Sequence, residues 1–144
     1  MRARRQRRAP TYEELERAAE LRRALQEFAR RTEVVARRHG LTTERYQLLL
    51  FVKLAEARND GPSVNELASE LHLAPSTMTQ LVRRAENLRL LRRELAPHDA
   101  RIRYLRLTEE GERRLVAAFT ELGEERKQLA ALLAVLPGHS PANL

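Results

Sequence analysis

The stretch SVNELASELHLAPSTMTQLVRRAENL, residues 63–88, decides the reading of the chain. Ser63 and Glu66 stand three apart ahead of an apolar run, the spacing of a capping box that opens a short helix. Leu67, Ala68 and Leu71 are its inward residues. His72-Leu73-Ala74 then forms a short turn, and Pro75 suits the first turn of a second helix, where its missing N–H costs nothing. Met78, Leu81, Val82 and Ala85 recur at i, i+3, i+4 and i+7, so one stripe of that helix, which runs to about Leu88, is buried. A short helix, a tight turn and a second helix have the build of a helix-turn-helix.

The opposite face of the second helix carries Ser76, Thr77, Thr79, Gln80, Arg83 and Arg84. These hydrogen-bonding and cationic types suit base edges and phosphates in a DNA major groove. No acid falls between Leu73 and Ala85, where it would repel phosphate. A solvated helix face would also be polar, and the segment that follows weighs against that plainer reading. Leu91 to Leu95 and Arg101 to Leu107 read as two strands around a turn-rich tip, residues 96–100. This β-hairpin adds Arg92, Arg93, Arg101, Arg103 and Arg106. Such a wing is placed to lie along a minor groove, whose negative potential draws arginine. Asp99, two residues before Arg101, is expected to orient that guanidinium by a charge-assisted bond.

The flanks read as helices. Thr11 and Glu14 open one that stops at Gly40, a left-handed cap. Its apolar stripe is Leu15, Ala18, Leu21, Leu25, Phe28, Thr32, Val35 and Ala36. A second runs from about Thr43 to Arg58 with Tyr46, Leu49, Leu50, Leu54 and Ala57 inward, and residues 59–62 are a turn. After the hairpin, Thr108 caps a helix in which Leu115, Leu122, Leu129 and Leu136 repeat every seven residues, with Ala118, Glu125 and Leu132 beside them. That seam asks for a helical partner, and Gly123 marks a bend within it.

The chain has 144 residues, 42% of them apolar, which is one domain's worth. It has no cysteine, which removes disulfides, thiolate metal sites and thiol nucleophiles and suits a reducing, cytoplasmic setting. Apolar runs are far too short for a membrane span, and no apolar segment follows the basic N-terminus as a secretory signal requires. Net charge is +7, of which residues 1–9 hold +5 and residues 72–107 hold another +5. The excess is thus confined to an N-terminal arm and the block that contains the second helix and the hairpin, a footprint for a polyanion.

Together the segments resemble the MarR family of winged helix-turn-helix transcription regulators. Residues 99–111, Asp99-Ala100-Arg101 running into Leu107-Thr108-Glu109-Glu110-Gly111, are similar to the family's D-x-R wing followed by L-T-x-x-G. Residues 41–46 resemble the start of its second helix, and Leu67-Ala68 with residues 75–79 resembles its helix-turn-helix core. The resemblance covers residues 12–136. It implies a mainly α fold with a small β-hairpin wing, assembled as an interlocked homodimer on a pseudo-palindromic double-stranded DNA operator. Half-sites would lie about 10 base pairs apart or a multiple of that. It implies that Arg101 enters the minor groove with Asp99 in support, and that Ser76, Thr77, Thr79, Gln80 and Arg83 make the recognition-helix contacts. It further implies a repressor released by a small-molecule effector. Organised this way, residues 1–9 form a basic disordered arm, 10–40 and 108–136 a dimerisation region, 41–107 the DNA-binding lobe, and 137–144 a flexible tail.

Three positions depart from the family pattern. Ala74 stands where a capping Ser is frequent. Arg89 stands where Gly follows the recognition helix, and a positive φ there costs a non-Gly residue roughly 1–2 kcal/mol. Ala85 replaces a Leu, so Leu88 is expected to swing in to fill the space. The four histidines, 39, 72, 98 and 139, show no ligand spacing, so no metal or other cofactor is expected. No P-loop, G-x-G-x-x-G or zinc-enzyme motif is present, which argues against an enzyme. Two other readings stay open on sequence alone: a sequence-neutral architectural DNA-binding protein, and a helical protein-interaction module.

Overall fold

A computed structural model describes residues 8–58 and 61–135. Residues 1–7 of the basic arm, the turn residues 59 and 60, and the tail with Leu136 and His139 lie outside the described residues. The described elements run α1 (Tyr12–Arg38), α2 (Thr43–Ala57), α3 (Val64–Glu70), α4 (Pro75–Asn87), β1 (Leu91–Ala96), β2 (Asp99–Leu107), α5 (Glu109–Glu121) and α6 (Gly123–Ala134). No helix among them is long and apolar enough to cross a membrane.

Helix starts follow the capping chemistry. The Thr11 hydroxyl accepts from the Glu14 N–H and the Glu14 carboxylate accepts from the Thr11 N–H. Ser63 and Glu66 form the same reciprocal pair ahead of α3. Thr42 and Thr108 cap α2 and α5. Ala74 supplies no side-chain bond to α4. Three helices end on a residue with positive φ: α1 on Gly40 at 72°, α3 on His72 at 53° and α4 on Arg89 at 56°. At each end the next N–H reaches back to close the cap, Leu41 to the Ala36 carbonyl, Leu73 to Ala68 and Leu90 to Ala85. Arg89 thus adopts the conformation the sequence makes costly and keeps the cap intact.

The described residues divide into two compact units, one within residues 32–123 and the other formed by residues 8–31 with 124–135. The core of the first is built by Val35, Ala36, Leu48, Leu49, Val52, Leu67, Met78, Val82, Ala85, Leu90, Leu105, Leu115, Ala118 and Leu122. This corrects three expectations. Leu115, Ala118 and Leu122 fill the protein's own core, so this part of the heptad seam already has its partners within the chain. On α2, Leu48 and Val52 are buried while Leu54 is exposed. Leu88 stays 48% exposed and does not swing in beside the buried Ala85. In the second unit, Arg31 of α1 pairs with Glu125 of α6 at 2.8 Å.

The wing is a two-stranded antiparallel hairpin turning at Pro97-His98, tighter than the five-residue tip expected. The outer edge of β2 is covered: Leu105 donates to the Pro62 carbonyl at 3.4 Å and Leu107 to the Glu56 carboxylate at 2.6 Å. Gly61 lies so close to Tyr104 that a Cβ there would meet the ring at 1.9 Å.

The base of the wing is locked by one carbonyl. Leu90 O accepts from the Thr108 N–H at 3.1 Å, and an added Cβ on Gly111 would fall 2.1 Å from the same oxygen. Thr108 also donates its hydroxyl to Arg89 O at 2.6 Å and accepts from the Gly111 N–H at 3.0 Å. The L-T-x-x-G pattern is therefore a backbone joint between the end of α4 and the start of α5. One turn on, Arg113 and Arg114 hydrogen-bond Glu110 and hold its carboxyl down to about 2.

Three outcomes test this packing. Arg89→Gly should stabilise the fold by about 1 kcal/mol, the left-handed strain less the entropy of the added glycine. Gly111→Ala should destabilise it by about 1–3 kcal/mol, since backbone rather than a flexible side chain must yield. Denaturant melts at one protein concentration read both. Glu110 has a folded pKa below its usual 4.5, so its stabilisation is complete above that pH and is lost as pH falls toward about 2. Melting temperature followed across that window should fall less steeply in Glu110→Gln than in the parent.

Candidate nucleic-acid interface

The exposed face of α4 is where the helical period puts it. Ser76, Thr77, Gln80, Arg83 and Arg84 are exposed and Thr79 is half-buried, opposite buried Met78, Val82 and Ala85. Thr79 donates its hydroxyl to the Pro75 carbonyl at 2.9 Å, so what it presents outward is an acceptor and a methyl. Arg83 and Arg84 form no ion pair among the described residues. The face therefore keeps both cations and its amide free for a ligand.

Strand pairing sorts the hairpin arginines, which the sequence presents as equals. Arg93 lies opposite Leu105, and Arg103 opposite Leu95, on the face whose base is buried through Leu91, Leu105 and Leu107. Arg93 is held by Glu86 of α4, at 2.7 Å through Nε and 3.3 Å through Nη2. That pair ties the wing to α4. Arg92 and Arg106 lie on the other face, where both bind Glu94. They hold its carboxyl below the usual carboxylate range, Arg92 most strongly. Arg103 has no acidic partner among the described residues.

Arg101 is set apart by a bulge. Leu95 pairs with Arg103, but its neighbour Ala96 pairs with Asp99, so Ala100 to Ile102 have no opposite number on β1. A bulge re-aims the side chains it carries. The Arg101 side chain is 92% exposed. Asp99 accepts the Arg101 backbone N–H at 2.9 Å, and its carboxylate lies 3.6 Å from the Arg101 Nε. The D-x-R spacing thus works chiefly through the backbone: Asp99 holds the bulge, and the bulge projects the guanidinium.

The hairpin arginines thus fall into two groups: Arg92, Arg93 and Arg106 share the carboxylates of Glu86 and Glu94, while Arg103 has no acidic partner among the described residues and Arg101, 3.6 Å from Asp99, projects into solvent. Sequence reasoning misses Glu86 and Glu94 as the cause. The signal that finds Glu94 is strand register, which sets it between Arg92 and Arg106 on one face.

A polar, cationic recognition helix clamped to an arginine-tipped hairpin defines a winged helix-turn-helix lobe. A family model described as the MarR family matches residues 39–102, from the end of α1 through most of the wing. Over those residues the lobe is similar to the MarR family. Among solved structures, the transcription regulator MarR from Oenococcus oeni PSU-1 superposes with a TM-score of 0.67 at 22% identity, over 87% of each chain. AbsC, a MarR family transcriptional regulator from Streptomyces coelicolor, gives 0.69 at 21% identity over 94% of this chain and 87% of that one. The S. aureus MepR–DNA complex gives 0.64 at 23% identity, over 89% and 84%. These likenesses establish the shared fold. No curated protein matches the sequence.

The bare start of α4 yields a test. Ala74→Ser restores a capping hydroxyl and should raise stability by about 1 kcal/mol in a denaturant melt. A gain near zero would show that α4 is already fully anchored by its buried stripe.

Proposed function

We propose that this chain is a sequence-specific double-stranded DNA-binding transcriptional regulator, acting as a homodimer on a pseudo-palindromic operator. The observation that carries the reading is the segregation of charge. Glu86 and Glu94 pair closely with Arg92, Arg93 and Arg106, while Arg83 on α4 and Arg103 on the wing have no acidic partner among the described residues and Arg101 projects outward beside Asp99, on the lobe that also exposes Ser76 and Gln80. A recognition helix reads base edges, and a projecting wing arginine suits a narrow minor groove. The DNA complex of a structural neighbour of the same fold supports this. MarR-family proteins are regulators rather than enzymes, which fits the absence of catalytic motifs from the sequence.

Homodimerisation rests on exposed apolar side chains of the flanking helices. Tyr12, Leu15 and Leu25 of α1 and Val116 and Phe119 of α5 are all at least 39% exposed. Repression is the proposed sign, since occupancy of promoter DNA suffices for it. An effector site is supported by a cavity of about 390 Å³ lined by Phe28, Arg31, Glu125, Gln128 and Leu129, within the range of small-molecule sites.

Anisotropy titrations with a duplex enriched from random DNA and its scrambled version test the reading. The parent should prefer the enriched duplex by about 10³-fold or more. Arg83→Ala should lose most of its affinity on that duplex alone, by about 1–3 kcal/mol. Arg101→Ala should weaken it too, while Arg92→Ala should change little. Equal binding to both duplexes would favour the sequence-neutral architectural reading, and no binding to either would contradict both.

A further inference from the structure

A cavity of about 240 Å³ lies beside the recognition helix, between Thr77, Gln80, Leu81 and Arg84 of α4 and the start of α2. Thr42, Glu44, Arg45 and Leu73 complete its lining. It is smaller than drug-sized sites of about 300–1,000 Å³. Arg45 is half-buried, and its Nε is shut off from solvent without a hydrogen-bond partner. A guanidinium does not shed its charge in a protein, so a buried donor of this kind calls for an acceptor. The backbone N–H of Arg45 is already committed to the Thr42 hydroxyl, at 3.2 Å.

The helical period shows what this cavity adjoins. At 3.6 residues per turn, Ser76, Gln80 and Arg83 run along the crest of α4. Thr79 and Glu86 fall on the edge toward the wing, where Glu86 binds Arg93. Thr77, Leu81 and Arg84 fall on the opposite edge, the one lining the cavity. A helix seated in a major groove has a phosphate backbone along each edge. The wing flanks one edge of α4; Arg45 and Arg84 flank the other.

We infer that this cavity seats a backbone phosphate of the bound duplex, with Arg45 and Arg84 as its cations and the Thr77 hydroxyl as a further donor. The inference rests on the DNA-binding reading above. It assigns Thr77 and Arg84 to backbone positioning and adds Arg45, which sequence reasoning does not single out. Glu44, the one acid in the lining, is exposed and pairs with neither arginine among the described residues, so the two cations outweigh it. The contact carries no sequence information and sets the angle at which the α4 crest meets the bases.

The test is a salt series of anisotropy titrations of the full chain on the enriched and scrambled duplexes, for the parent, Arg45→Gln and Arg84→Gln. Each variant should lose affinity by the same factor, about tenfold, on both duplexes. Each should also flatten the slope of log K against log salt by about 0.9 for every half-site phosphate released. Arg45→Lys, which keeps the charge, should keep the slope. Arg84 is exposed, so its variant carries the test even if Arg45→Gln does not fold. Slopes unchanged in both Gln variants, with the parent binding normally, would overturn this inference alone. So would a loss confined to the enriched duplex, since that is base reading. A parent that binds neither duplex overturns the DNA-binding reading together with this one. Inorganic phosphate at matched ionic strength separates the remaining source: a melting-temperature rise present in the parent and absent in Arg45→Gln, together with unchanged DNA salt slopes in both Gln variants, would assign the socket to a free anion and overturn the backbone assignment.

Discussion

The carbonyl of Leu90 is the point on which the lobe turns. It accepts the Thr108 N–H and rests against the bare Cα of Gly111, while Thr108 reaches back to Arg89. Helix α4 ends there, β1 begins there, and α5 starts where β2 finishes. A shift at this joint would move the recognition helix, both strands of the wing and α5 together. Glu86 and Arg93 add a second tie between α4 and the wing. The angle between helix and wing is therefore set by a backbone joint with an ion pair across it, before any ligand arrives.

Charge is allotted on that frame as carefully as shape. The sequence block 72–107 holds eight arginines against three acids, and the acids are placed beside particular arginines. Glu94 takes up Arg92 and Arg106, and Glu86 takes up Arg93. These exposed pairs add little stability. Their effect is to mute cations that would grip any polyanion and to leave Arg83, Arg84, Arg101 and Arg103 at the positions a duplex would reach. A protein that needed only to coat DNA would have no use for that muting, which is why the charge pattern favours specific recognition.

Much of this is legible in the sequence because local chemistry dictates it. Ser63 with Glu66, Pro75, Gly40 and Thr108 mark helix ends where the structure has them. The α4 stripe separates its buried and exposed faces correctly apart from Leu81 and Thr79, which are half-buried. What is not legible depends on the partner a residue meets. A heptad of Leu115 and Leu122 looks the same whether it faces another chain or the protein's own α2, and here it fills the core. Strand alternation cannot foresee three unpaired residues on β2, so the projection of Arg101 by a bulge appears only in the fold. Arg89 reads as a misfit, yet the Schellman bonds around it close as they would for glycine. The cost of the residue is visible in the sequence; the persistence of the cap is not.

The central claim is that two such lobes read one palindromic site. Repeated rounds of selection from random duplex DNA by the purified full chain, followed by sequencing, address it most directly. The account predicts an enriched inverted repeat whose half-site centres lie about one helical turn, 10–10.5 base pairs, apart or a multiple of it. Recovery of bound DNA with no enriched repeat, in a range of salt where binding is still tight, would contradict it.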